Sequence, residues 1–364
     1  MDYSYFKTEI SKRRQPATTR ELTKIAYAAP KSTISLAEGM PNEETFPFTE
    51  ISVKLYDGSS FILDESELGA ALQYIPTQGY PPLVQALREF QRMAHAPPLW
   101  ESRDILVVSG SQDGLSKTLE AIIGTGDPIL VPDSFYPGVE VVITPHKAEL
   151  VTISQDDDGP IPEVLREILK NRAFSGAKMP KIMYINSTGT NPTGIIIPLE
   201  RRKEIYRIAC EYNFLILDDD PYHFIHFDKV ILYNLLKIWG YDGLMEHYMR
   251  LRYFYKARRD VISMLARKHL NGLADFNVPK GGFFLWIKIR GIKNTWKMIM
   301  QRGITDGVIM APGAAFMKDS LKPCNAIRAS FAKASYEEME LAMRRLAQLI
   351  RAELAENYFE NVNT

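Results

Sequence analysis

Three consecutive carboxylates, Asp218, Asp219 and Asp220, close an apolar run in FLILDDDPY, residues 214–222. A short continuous apolar run bounded by turn residues reads as a buried strand, and that much charge at its tip needs a reason. Asp and Pro are ordinary loop formers, and a solvated turn is one reading. The other is a cationic or basic group held at the strand's mouth. In open α/β sheets ligands sit beyond the carboxyl ends of the strands, which directs attention to three further tips. DILVVSG runs into SGSQDG and a helix, where Ser111, Gln112 and free backbone amides offer a cradle for an anion. No Gly-Lys-Ser/Thr follows, and Gly-x-Gly-x-x-Gly is missing, so this is neither a P-loop nor a dinucleotide fingerprint. PILVPD leads into PDSFYPG, placing Tyr136 where its ring can lie on a heterocycle; KIMYINS leads into NSTGTNPTG and the turn Asn191-Pro192-Thr193-Gly194. Each tip also has a plain structural reading: Ser111 as a helix cap, Tyr136 as a turn residue, Asn191 to Gly194 as turn chemistry.

Together the four tips supply a phosphate cradle, a stacking ring, an amide and a carboxylate. These groups match pyridoxal phosphate, with its phosphate, aromatic ring, phenolic oxygen and pyridine nitrogen. The carboxylate then keeps the ring nitrogen protonated, so that the ring can accept electrons from the substrate's alpha carbon. A charge-assisted hydrogen bond of this kind contributes roughly 1.5–3 kcal/mol.

The elements that must position these groups are legible in the hydrophobic pattern. DILVVSG, PILVPD, AELVTIS, KIMYINS and FLILDDD are near-continuous apolar runs, the pattern of parallel strands covered on both faces. Helical spacing appears in Leu83, Leu87 and Phe90, in IPEVLREILKNR and in LERRKEIYRIACEY. The last third is built differently, with a long helical stretch preceding GGFFLWIKIRG and AIRASF. A closing helix begins at a capping box of Ser335 and Glu338 and has the apolar face Met339, Ala342, Met343, Leu346, Leu349 and Ile350. The expected architecture is α/β, a mostly parallel large domain beside a smaller α+β domain.

Bulk composition narrows the function classes. Lys plus Arg and Asp plus Glu stand at 44 each, and no basic stripe occurs, which argues against a nucleic-acid partner. Cys210 and Cys324 are too few and too far apart for a disulfide framework or a zinc site. No apolar run approaches the roughly 18 residues of a membrane span. The first twenty residues carry Asp2 and Glu9 and no apolar signal core. The expected compartment is the cytoplasm or the mitochondrial matrix.

With these motifs in hand, the chain resembles the fold-type I, class I/II aminotransferases that depend on pyridoxal phosphate, and among them the kynurenine/2-aminoadipate aminotransferases. The resemblance runs through ISLAEGMPNEETFPF, ALQYIPTQGYPPL, SGSQDGL, NPTG, LDDDPY, APGAAFM and IRASF, in order and nearly end to end. It implies an aspartate aminotransferase-like fold and transfer of an amino group from an amino acid to a 2-oxo acid. It also implies that Ser111 and Gln112 hold the phosphate, Tyr136 stacks on the ring, Asn191 and Tyr222 bond the phenolic oxygen, and Asp219 meets the pyridine nitrogen. Arg328 would bind the substrate's alpha-carboxylate bidentately, Gly39 would line the substrate site and Arg20 would meet a distal carboxylate. Tyr74 would reach the neighbouring subunit's phosphate, which implies a homodimer. Residues 1–45 would form an N-terminal arm and part of the small domain, 46–240 the large domain, truncated after 229, and 241–364 the C-terminal small domain.

One part of the pattern is absent. The family's Schiff-base lysine should follow LDDDPY by a few tens of residues in a Ser-x-Ser-Lys context, yet FIHFDK runs directly into VILYNLLKIWGYDG. That second stretch, with Leu232, Leu235, Leu236 and Trp239 on one face, looks like a helix the family places much later. The gap amounts to about 50 to 60 residues and includes two central strands, so the sheet is expected to be cut, with apolar edges. SFAK, ending at Lys333, only superficially mimics the lysine motif, and Lys229 and Lys237 have the wrong neighbours. The expectation is a truncated family member that is inactive or impaired and holds its cofactor non-covalently at most. Two alternatives stand beside it. One is a non-catalytic binding protein of the same fold; the other is a metal-dependent hydrolase built on Asp218, Asp219, Asp220, His223 and His226.

Overall fold

A computed structural model of the chain describes residues 3–15, 41–42, 45–222, 229–319 and 321–362, with the side chains of 229–239, 244 and 357–362 outside that description. The strands are β1 Ile51–Lys54, β2 Ser60–Leu63, β3 Pro128–Pro132, β4 Glu149–Ile153, β5 Gln155–Asp156 and β6 Gly159–Pro160. They continue with β7 Ile182–Ile185, β8 Leu215–Asp218, β9 Ala274–Phe276, β10 Phe284–Ile289, β11 Ala311–Pro312 and β12 Ala326–Ser330. Two compact units result, one of Met1–Lys12, Ser111–Ile225 and Tyr248–Thr364, the other of Arg13–Gly110 and His226–His247.

In the first unit β4-β3-β7-β8 form a parallel sheet. Side chains alternate between its faces. Ile129, Val131, Ile182 and Tyr184 share one core with Leu115 and Leu119 of helix Ser111–Ile122. Leu130, Met183 and Ile185 share another with Leu165 and Leu169 of helix Pro162–Ser175 and Ile205 and Ile208 of helix Leu199–Tyr212. Both faces are thus covered, which is why these strands read as unbroken apolar runs. Every residue of β3 and β7 is buried, whereas Leu215, Ile216 and Leu217 of β8 are half-buried. Among the described residues β8 is the last strand on its side of the sheet.

The C-terminal part of this unit carries an antiparallel sheet in the order β11-β12-β10-β9. Its core joins Leu285 and Ile287 of β10 and Ile327 and Ala329 of β12 to Met339, Met343, Leu346, Leu349 and Ile350 of helix Tyr336–Val362. The capping box is formed as expected: the Ser335 N–H donates to Glu338 Oε2 at 2.6 Å, and the Glu338 N–H donates to Ser335 Oγ at 3.1 Å. β9 and β11, three and two residues long, extend the sheet beyond the two strands expected here. The helix that begins at the FIHFDK junction, Lys229–Leu270, is interrupted at Gly240, whose φ of 60° and ψ of −166° are not helical.

The second unit contains the β1–β2 hairpin, with Ile51 opposite Leu63, and helices Glu65–Leu72 and Pro81–His95. Helix Pro81–His95 buries Leu83 and Phe90 and half-buries Leu87, the face expected from the spacing. DILVVSG departs from expectation. Residues 103–108 have no regular structure, and the Val107 N–H donates to the Gln78 carbonyl at 2.9 Å, where the segment passes Gly79. A strand needs a hydrogen-bonded neighbour, and an apolar run does not provide one by itself.

Backbone contact between two loops ties the two sheets of the first unit together. The Lys280 and Gly281 N–H groups donate to the Gly194 carbonyl at 3.1 and 3.3 Å. Gly189 has φ +66°, and a Cβ there would lie 2.3 Å from the Gly282 nitrogen. Gly176, at the end of helix Pro162–Ser175, has nearly the same φ, +68°, but open space around it. Gly176→Ala should therefore cost only the left-handed backbone penalty of about 1–2 kcal/mol. Gly189→Ala should cost at least about twice that, because the loops must also part. Urea unfolding of the two variants measures the difference; equal losses would contradict the close approach.

Candidate active site

Strand pairing first brings the acidic tip of β8 beside β7. Asp219 is tied through its backbone: its N–H donates to the Ile185 carbonyl at 2.9 Å, and Asn186 Nδ2 donates to its carbonyl oxygen. The carboxylate is held as well, since Tyr184 donates its hydroxyl to Asp219 Oδ2 at 2.9 Å. Asp218 serves the loop instead, accepting from the Ser187 N–H at 3.1 Å and from Ser187 Oγ at 2.6 Å. Asp220 Oδ2 accepts from Thr188 Oγ1 at 3.3 Å. The three aspartates of the tip thus have three different partners.

The NPTG turn is fastened to the same point. The Asn191 N–H donates to Asn186 Oδ1 at 2.9 Å, and the Gly194 N–H donates to the Thr190 carbonyl at 2.6 Å. The Asn191 side chain is buried, and its Oδ1 accepts from an Arg328 guanidinium nitrogen at 2.9 Å. Asn191 also hydrogen-bonds the Tyr222 hydroxyl. Arg328 projects from β12, opposite Trp286 of β10, with its guanidinium 4.2 Å from the Phe284 ring centre and 4.7 Å from that of Phe316. Such faces attract a cation. Burial nonetheless pulls the arginine's pKa below its ordinary value, and its buried Nε has no hydrogen-bond partner. A donor left bare in this way fits an anionic acceptor.

Burial, and then the Asp219 charge, push the Tyr222 phenol up to about 12, while Arg328 and Asn191 act the other way. Its ring meets Phe283 edge-on, with centres 5.0 Å apart. Tyr136 lies near enough to act electrostatically on both Tyr222 and Tyr184. Its loop depends on Gly138, where a Cβ would fall 2.2 Å from the Tyr136 ring and 2.6 Å from Gln112 Oε1. Gln112 Nε2 donates to the Gly138 carbonyl at 3.1 Å, and Ser111 and Gln112 stand exposed in the first turn of helix Ser111–Ile122. The donor set fits pyridoxal phosphate: helix-terminal donors for a phosphate, a ring held against a backbone that a Cβ would block, and a carboxylate for a basic nitrogen.

The structure therefore gathers Gln112, Tyr136, Asn191, Asp219, Tyr222 and Arg328, with Ser111 adjoining Gln112. Tyr74 belongs to the other unit and is exposed. Arg20, Gly39, His223 and His226 lie outside the described residues. Among the described residues no three His, Cys, Asp or Glu side chains gather to hold a metal. Lys333 is exposed, three positions past the end of β12. Tyr184 and Asn186 were not expected at the site. The available signal was polarity within or just after a wholly apolar strand, since a buried tyrosine hydroxyl needs a partner.

Comparison with known proteins gives the family. Residues 32–248 match the family described as Aminotransferase class I and II. The mitochondrial kynurenine/alpha-aminoadipate aminotransferase of Bos taurus is 35% identical, with 97% of this chain and 100% of the relative covered. That alignment runs over 425 positions against 364 residues here, so at least 61 of its positions hold no residue of this chain. Among solved structures, aminotransferase Aro8 of Candida albicans superposes with a TM-score of 0.85 at 21% identity, covering 98% of this chain and 99% of its own. The kynurenine aminotransferase of Pyrococcus horikoshii gives 0.69 at 24% identity, covering 97% and 98%. The chain belongs to the class I and II aminotransferases, enzymes of the fold-type I architecture that depend on pyridoxal phosphate.

The raised Tyr222 phenol has a consequence in alkali. An unfolded tyrosine loses its proton near pH 10, whereas the folded one keeps it to about 12. The stability tied to the neutral phenol is complete below pH 10 and is lost as pH rises toward 12. Tyr222→Phe should make the fall between pH 10 and 12 shallower by up to about 2 kcal/mol. Tyr248, also pushed up to about 12, retains its own share. Chemical denaturation at several alkaline pH values checks this; an unchanged slope would contradict it.

Proposed function

We propose that this chain holds pyridoxal phosphate non-covalently at the tips of its parallel sheet. Its site is suited to moving an amino group from a kynurenine- or 2-aminoadipate-like amino acid to a 2-oxo acid, and its own turnover is low. The observation that carries the reading is the chain of contacts from Arg328 through Asn191 to Tyr222, beside the anchored Asp219. It leaves the buried Nε of Arg328 bare.

In this assignment Ser111 and Gln112 hold the phosphate, Tyr136 covers the ring, Asn191 and Tyr222 reach the phenolic oxygen and Asp219 meets the ring nitrogen. Arg328 orients the substrate by its alpha-carboxylate, and its two aromatic neighbours keep water from competing. When bound, the cofactor's ring takes up the electrons left on the alpha carbon as the proton departs. Gly39 and Arg20 complete the substrate site by resemblance. Tyr74 acts from a second copy, so the assembly is a homodimer, and the compartment is the mitochondrial matrix or the cytoplasm. The cattle relative's name supports the substrate class and the mitochondrion. The large domain of 46–240 and the small domain of 241–364 belong to the same proposal.

Low turnover follows from the missing lysine. The half-buried apolar edge of β8 and the 61 or more alignment positions without a residue here support an internal loss after Lys229. General-base work on a proton contributes about 10²–10⁴-fold to rate. A second reading, a cofactor-binding protein without catalysis, is favoured by the same missing residue, and one experiment separates the two. The purified chain is saturated with pyridoxal phosphate, treated with borohydride and weighed by mass spectrometry, and its transamination of kynurenine is followed in parallel. Reversible saturation, an unchanged mass and a trace of turnover at least about 100-fold below ordinary enzymes is the expected outcome. No turnover at all supports the second reading. A stoichiometric lysine adduct with turnover in the ordinary range of about 1–10³ per second contradicts both.

A further inference from the structure

The carboxylate assigned to the ring nitrogen has a fixed neighbour with no assigned role. Tyr184 lies on β7 opposite Leu217 of β8, and its hydroxyl reaches to Asp219, two residues beyond that register partner. Its side chain is 1% exposed and belongs to the same core as Leu119, Ile129 and Val131. Close packing holds the ring in one rotamer on the time-average, so the hydroxyl is a donor of settled position. Asp219 is tied to β7 at three atoms: its N–H by Ile185, its carbonyl oxygen by Asn186 and its Oδ2 by Tyr184.

We propose that Tyr184 is a positioning residue for Asp219: its hydroxyl, donating to Oδ2, sets the orientation of the carboxylate that meets the ring nitrogen of pyridoxal phosphate. The proposal rests on the cofactor site described above. A donor on a carboxylate favours its ionised form, which is the form that pairs with a protonated ring nitrogen. Productive contacts of this kind tolerate displacements of only about 0.5 Å, which a donor fixed in the core helps to meet. Burial, then the Asp219 charge, raise the Tyr184 phenol well above its ordinary value, so it remains a donor throughout the working pH range. A purely structural role, the satisfaction of a buried hydroxyl, would be indifferent to what Asp219 binds. That difference can be measured.

The test is equilibrium binding of two ligands to the purified full chain: pyridoxal phosphate, and its analogue with carbon in place of the ring nitrogen. Tyr184→Phe keeps the ring in the core and removes one oxygen; Tyr184→Met, smaller but adaptable and without an oxygen, is the second variant if the first does not fold. The expected result is about a tenfold rise in the Kd of pyridoxal phosphate, with less than a twofold change for the carbon analogue. Equal weakening of both ligands, or of neither, would overturn the proposal. Asp219→Ala is measured alongside. If it leaves pyridoxal phosphate binding intact, or if the unaltered chain binds none, the cofactor site itself fails and the role of Tyr184 with it. If Asp219→Ala weakens binding while Tyr184→Phe does not, only the role of Tyr184 is lost.

Discussion

A carboxylate at the end of a parallel strand cannot leave water without a donor to replace it, and Tyr184 of β7 supplies one to Asp219, whose backbone is tied by Ile185 and Asn186. The phenol of Tyr184, the amide of Asn186 and the Ile185 carbonyl fix the residue from one side. This requirement reaches back into the core. The tyrosine must sit in a wholly buried strand, which in turn needs helices on both faces of the sheet. The acid at the strand tip is therefore the outer end of a packed layer.

The second requirement is closeness. Arg328 stands on an antiparallel sheet whose core is separate from those of the parallel sheet, yet it must reach Asn191. Gly189 and Gly194 allow it, because a Cβ at Gly189 would fall 2.3 Å from the Gly282 nitrogen and one at Gly194 would fall 2.8 Å from the Pro279 Cβ. A cluster of aromatic rings then surrounds the guanidinium: Phe284 and Phe316 face it, and Tyr222 meets Phe284 with centres 5.9 Å apart. Gly138 allows a similar closeness for the Tyr136 ring, which lies against its backbone. Three glycine positions thus set the size of the site, and none of them touches a reacting atom.

Much of this was legible beforehand, and the exceptions have physical reasons. β3, β4, β7 and β8 announced themselves as apolar runs because both faces of their sheet are covered. The Ser335–Glu338 cap is a local pattern that needs no tertiary knowledge. DILVVSG had the same composition as the true strands and failed, since pairing is a property of neighbours. β9 and β11 were too short to leave a signature. Among the candidate site residues, Tyr136 and Asn191 stood at the ends of true strands and Ser111 and Gln112 at the start of a helix, but Arg328 and the choice of Asp219 among three aspartates came only through family resemblance. Tyr184 was hidden in a run that reads as plain core, because a one-dimensional pattern does not record which cross-strand atom a hydroxyl meets.

The claim on which the account stands is that Asp219 faces a protonated pyridine nitrogen. The direct measurement is the nitrogen-15 chemical shift of ring-labelled pyridoxal phosphate bound to this chain, compared with the same ligand bound to Asp219→Asn. A protonated-nitrogen shift in the unaltered chain, moving to the unprotonated value in the variant, is the predicted result. An unprotonated ring in the unaltered chain, or a shift indifferent to the substitution, would contradict it.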